Sequence, residues 1–103
     1  MTIYEDIVFS QAVISDIAEI SRFIRTKNTK EAAEKYIDIL EAEINSLIFL
    51  ADFIPKSKFL VHRKYHNESK RMLTRNRKWN VVFHTEDKKV VIDKIIPSKM
   101  VTG

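Results

Sequence analysis

Between positions 70 and 96 the apolar residues fall into three short runs, K-R-M-L-T-R-N, K-W-N-V-V-F-H-T and K-K-V-V-I-D-K-I-I. They are rich in Val, Ile, Phe and Trp, too short for helices, and separated by polar residues, which is the pattern of a β-meander. Thr85-Glu86-Asp87-Lys88 is the clearest turn, an acidic pair between two apolar runs. Upstream, Ile3, Ile7 and Phe9 alternate with Tyr4, Asp6 and Val8, predicting a strand over residues 2–10. Ser10 then reads as an N-cap. Val13, Ile14, Ile17, Ile20, Phe23 and Ile24 follow at helical spacing, one stripe of a helix running to residue 26. Asn28 to Glu31 reads as a capping box with Asn as the cap. Ala33, Ile37, Leu40, Ile44, Leu47 and Ala51 predict a second helix of about six turns. Two amphipathic helices joined by so short a break form an antiparallel hairpin, and the stripe is too short for a coiled coil. Pro55 ends the helical region. Residues 56–69 show no period: 59–61 is an apolar pin and 64–69 a polar loop. The predicted order is β-α-α-β-β-β, an α+β domain spanning 1–103.

Composition adds little to this and excludes several classes. The chain has 103 residues, 45% hydrophobic and 31% charged, with one Gly, two Pro and no Cys. That is globular, with no disulfide framework or thiolate metal site expected. No apolar run approaches a membrane span, and the N-terminus does not read as a signal peptide, so a cytoplasmic protein without membrane contact is expected.

Charge changes the picture more. Residues 1–55 carry five basic side chains (Arg22, Arg25, Lys27, Lys30, Lys35) against ten acidic ones. Residues 56–78 carry nine (Lys56, Lys58, Arg63, Lys64, Lys70, Arg71, Arg75, Arg77, Lys78) against Glu68 alone. Such segregation points to a positive field aimed at phosphate or an acidic partner; the plain alternative is a sheet edge kept soluble by charge. Arg71, Arg75 and Arg77 sit at odd-numbered positions, four and two residues apart, along the first meander strand and its turn. In a regular strand they project on one side, Arg75 and Arg77 about 7 Å apart, a separation suited to phosphates. Trp79 shares a strand face with Val81 and Phe83, which favours core packing over base stacking. His84, grouped with Asn80 and Val82 on the opposite face, is a candidate general base if that face is open, and otherwise a surface histidine near a turn. His62, His66 and Glu68 have a metal-like spacing only on a helix, and none is predicted there, so no metal or other cofactor is expected.

Taken in order, these motifs resemble the RelE/ParE superfamily, the toxins of type II toxin–antitoxin pairs. The resemblance covers nearly the whole chain. It rests on the first strand ending in Phe9-Ser10, on the helix N-T-K-E-A-A-E-K-Y-I-D-I-L-E-A-E-I-N-S-L running toward Phe53-Ile54-Pro55, and on the meander opening at Arg71 to Leu73 with its central W-N-V-V-F. It implies a cognate antitoxin as partner, in a hetero-oligomer, and one of two mechanisms. RelE-like toxins are ribosome-dependent endonucleases that cut mRNA with arginines, lysines and a Tyr or His; ParE-like toxins inhibit DNA gyrase. Here Asn80 stands where RelE-like sequences often carry an arginine before the central strand's apolar run. Met100 stands beside Lys99 where a further arginine is expected, and the tail has no tyrosine or histidine. Cutting RNA at the 2′-OH needs a base and cations. The cations remain, namely Arg71, Arg75, Arg77, Lys78 and Lys99, but the usual base does not, with Arg71, His84 and Lys99 the weak catalytic candidates. The resemblance therefore favours a ParE-like gyrase inhibitor, with a RelE-like endonuclease second and a non-catalytic nucleic-acid-binding or degenerate toxin module third.

Overall fold

The computed structural model describes residues 3–100. Strand β1 (Asp6–Phe9) leads into helix α1 (Gln11–Lys27) and helix α2 (Lys30–Asn45), followed by the single-turn helices α3 (Leu47–Leu50) and α4 (Leu60–Arg63). Strands β2 (Lys70–Leu73), β3 (Trp79–Glu86) and β4 (Lys89–Pro97) complete the β-α-α-β-β-β order. The sheet runs β1-β4-β3-β2, with β1 parallel to β4 and the other pairs antiparallel. No described helix is long and apolar enough to cross a membrane.

The helical hairpin covers one face of this sheet. Val13 and Ile20 of α1 and Leu40 and Ile44 of α2 join Leu47 and Ala51, and all pack against Val81, Phe83, Val90, Ile92 and Ile95. The predicted stripes thus supply most of the core, although Ile14 and Phe23 of the first stripe stay exposed; each large aliphatic chain that is buried contributes roughly 1.5–3 kcal/mol by leaving water. The second stripe is not one helix, however. Asn45 and Ser46 are weak helix formers, and the Ser46 hydroxyl donates to the Glu43 carbonyl at 2.5 Å, a local bond that competes with the backbone ladder. The chain restarts as α3 and a 3₁₀ turn over Ala51–Phe53, keeping Leu47 and Ala51 inward.

Two caps locate the helix starts. Ser10 accepts the Val13 N–H at 3.2 Å, as expected. The second cap is Thr29, which accepts the Ala32 N–H at 3.1 Å, while Asn28 closes α1. The capping box predicted at Asn28 does not form: the cap is one residue later, and its N3 position is Ala32, which has no polar side chain to return the bond. β1 begins at Asp6; Thr2, where the sequence started the strand, lies outside the described residues. Asp87 (φ 48°) and Lys88 (φ 63°) form a two-residue β3–β4 loop, both in the left-handed region that a type I′ hairpin requires.

Candidate functional site

Strand alternation on β3 sends Asn80, Val82 and His84 to the sheet face opposite the helices, and Arg71 on β2 pairs with Val82. That outer face is not open. Residues 56–69 cross it as a strap, tied at one end by the bridge between Lys56 and Lys70 and by a Lys56–Glu68 ion pair that lowers the Glu68 pKa. Its inner anchor is His62, 0% exposed, whose Nδ1 shares a 2.8 Å hydrogen bond with the Ser57 hydroxyl. The Ser69 hydroxyl donates to the carbonyls of His62 (2.9 Å) and His66 (2.6 Å) and so closes the loop. Burial, and then the nearby Arg71 cation, push the His62 pKa below its ordinary 6.5.

His84 is therefore buried, at 6% exposure, and is not a surface histidine. The His66 ring lies flat against it, centroids 3.8 Å apart and planes within 2°. A β-bulge brings in the third member: the β3–β4 register shifts between Val82 and Phe83, so Lys94 opposes Val82, Ile92 opposes Phe83, and Asp93 is the extra residue. Its Oδ2 lies 2.7 Å from His84 Nδ1. Burial raises the Asp93 pKa while its bond to His84 opposes the rise. Glu86 Oε2 stands 3.5 Å from His84 Nε2.

The five candidate cations separate. β2 ends at Leu73, and the chain turns at once: the Thr74 N–H donates to the Trp79 carbonyl (2.9 Å) and the Arg77 N–H to the Thr74 carbonyl (2.8 Å). Arg75 and Arg77 belong to this turn, with Arg77 at φ 64°, and do not continue a strand face with Arg71. Arg71 is half-buried, 4.9 Å from the Phe59 ring centre, and its Nη1 donates to Asn80 Oδ1 at 3.0 Å. The turn instead gathers a basic corner. The Ser98 N–H donates to the Lys78 carbonyl (2.9 Å) and the Ser98 hydroxyl to the Arg77 carbonyl (2.6 Å), which sets Lys99 beside Arg77 and Lys78. Arg75, Arg77, Lys78 and Lys99 are all exposed there.

Next to this corner, between α2 and the edge strand β2, runs a groove lined by Ile39, Ala42, Leu50, Met72 and Leu73 with Glu43 and Arg75 at its rim. A second open cleft, about 460 Å³, lies between α1 and β4 over Ile20, Trp79 and Ile96. There Lys94 donates to Asp16 Oδ1 at 2.7 Å, a bond that raises the Lys94 pKa.

Sequence reasoning missed His66, Glu86 and Asp93 as neighbours of His84. His66 meets His84 only because the strap folds over the sheet, and Asp93 reaches it only through the bulge. His62 and His66, discounted together as ligands because no helix was expected there, do part company, although α4 does hold His62: it is sealed against Ser57, while His66 lies against His84 of β3.

No protein-family model matches the chain, and no curated protein does. Among solved structures it is similar to a chain from the "Chromosomal ParDE TA system from P. aeruginosa", with a TM-score of 0.76 and 12% identity over 93% of this chain and 98% of that one. The likeness shows the fold: this chain has the α+β architecture of that toxin–antitoxin-system protein over nearly the whole length of both.

Proposed function

We propose that the chain is the toxin of a type II toxin–antitoxin pair and that it acts in the cytoplasm as a ParE-like inhibitor of DNA gyrase, not as an mRNA endonuclease. The whole-length fold likeness to a ParDE-system chain supports the toxin reading. The mechanism rests on how the reactive groups are disposed. A ribonuclease needs a base beside cations at one open place. The one imidazole of the sheet, His84, is covered by His66 and held by Asp93. Arg71 is engaged by Phe59 and Asn80, and the four exposed cations stand toward the other end of β3. This arrangement suits binding an acidic surface better than chemistry.

The antitoxin partner is an acidic, amphipathic segment lying across the basic corner, its apolar residues in the groove between α2 and β2 and its carboxylates on Arg75, Arg77, Lys78 and Lys99. The test of function is induction of this chain alone. Growth stops with filamentation and an SOS response while primer extension finds abundant messages intact. Messages cut inside codons would assign the chain to the endonucleases instead.

A further inference from the structure

The histidine pair has chemistry that the gyrase reading does not use. The donor atoms of His66, His84 and Glu86 all lie within 4.8 Å of one another. We propose that these three side chains form a site for a borderline-soft divalent metal ion such as Zn²⁺, which clamps the strap over residues 56–69 to the outer face of the sheet.

The geometry around His84 carries the argument. The 2.7 Å contact with Asp93 Oδ2 occupies His84 Nδ1, so Nε2 is the ring nitrogen left to meet a ligand. That nitrogen faces Glu86 Oε2 at 3.5 Å. The separation is longer than the roughly 2.7–2.9 Å of a charge-assisted hydrogen bond. It matches the roughly 3.3–3.6 Å between two ligands held 2.0–2.2 Å from a tetrahedral ion. A carboxylate behind a ligating histidine is the arrangement that fixes the tautomer and strengthens the ring as a donor.

His66 supplies the third donor from the strap. Its Nδ1 accepts the Glu68 N–H at 3.0 Å, and its ring is parallel to that of His84, so the two rings' lone pairs do not converge. Binding therefore tilts His66 out of the stack and releases the Glu68 N–H so that the ring's lone pair is free to ligate, a movement its turn position outside regular structure permits. The Glu86 side chain, 59% exposed, keeps the site open to solvent, so water completes the coordination. Two imidazoles and one carboxylate select Zn²⁺ over Mg²⁺ or Ca²⁺, which prefer all-oxygen shells.

The experiment is calorimetric and thermal titration of the chelator-treated full chain with ZnCl₂, in wild type, His66→Ala and Glu86→Gln, with MgCl₂ as control. Both substitutions sit on half-buried or exposed side chains, so the variants fold. The proposal expects one Zn²⁺ per chain, and a melting temperature about 10 °C or more higher at a hundredfold excess over Kd. Each variant weakens Zn²⁺ binding at least tenfold, and Mg²⁺ gives no shift. Absence of stoichiometric binding in wild type overturns it. So does equal Zn²⁺ affinity in all three proteins, which would mark an adventitious ion only.

Discussion

The indole N–H of Trp79 donates to the hydroxyl of Tyr36 at 2.8 Å, joining the start of β3 to the middle of α2. The same hydroxyl accepts from Asn76 Nδ2 at 2.9 Å, so one phenol fastens the helical hairpin to the β2–β3 turn that bears the basic corner. Removing it leaves a half-buried indole donor without its partner. Tyr36→Phe is expected to cost about 1–2 kcal/mol in denaturant unfolding, and Trp79→Ala about 3–5 kcal/mol. Since the turn loses its tie, Tyr36→Phe is also expected, on the proposed function, to weaken antitoxin binding in a titration of the purified pair.

Arg71 and the corner cations separate by what each substitution changes. Arg71 rests on Phe59 and bonds to Asn80, so Arg71→Glu is expected to destabilise the fold by about 2 kcal/mol. Arg75→Glu, Lys78→Glu and Lys99→Glu lie on exposed side chains and stay within about 0.5 kcal/mol of wild type. On the proposed function each is expected to abolish toxicity on induction all the same. Melting curves measured beside growth curves check both halves, and full toxicity in all three corner variants contradicts the proposal that the corner meets the target's acidic surface as well as the antitoxin.

Arg77 offers a cleaner variant than charge reversal. It holds φ 64°, a conformation a non-glycine residue occupies at a cost of roughly 1–2 kcal/mol. Arg77→Gly removes the cation and relieves that strain. The melting temperature is expected to hold or rise while toxicity falls, so loss of activity cannot be blamed on loss of fold.

His62 makes stability depend on pH in a definite direction. Its folded pKa lies below the ordinary 6.5 because burial, and secondarily Arg71, disfavour the imidazolium. Below pH 6.5 the unfolded chain binds a proton that the folded chain refuses, so stability falls as pH drops from that value through the folded pKa. Above it this loss is absent. Melting temperatures from pH 7.5 to 5 should decline more steeply in wild type than in His62→Gln, and equal slopes would contradict the assignment.

The architecture was legible because local patterns governed it. The three-four spacing of Val13 to Ile24 and Ala33 to Ile44 marks helix faces that need an apolar cover, and Val81, Phe83 and Ile92 on the sheet's inner face supply it. Ser10 behaved as a cap because its hydroxyl has a nearby N–H to satisfy. What could not be read depends on contacts distant in sequence. β1 joins β4 in parallel, a pairing set by the crossover and not by either strand's composition. The strap's path decides that His84 is buried and that Arg71 is engaged, yet residues 56–69 carry no period to reveal it. The supposed arginine row failed for a local reason: Asn76 accepts from the Thr74 hydroxyl (2.6 Å) and the Lys78 N–H (3.0 Å), stabilising a turn where an extended strand was expected.

The most direct measurement of the central claim is supercoiling of relaxed plasmid by purified DNA gyrase in the presence of the purified chain. The account predicts that wild type blocks supercoiling, that Arg77→Gly and Lys99→Glu relieve the block while remaining folded, and that adding the antitoxin restores activity. Full supercoiling in the presence of folded wild-type chain, with mRNA cut on ribosomes under the same conditions, would contradict it.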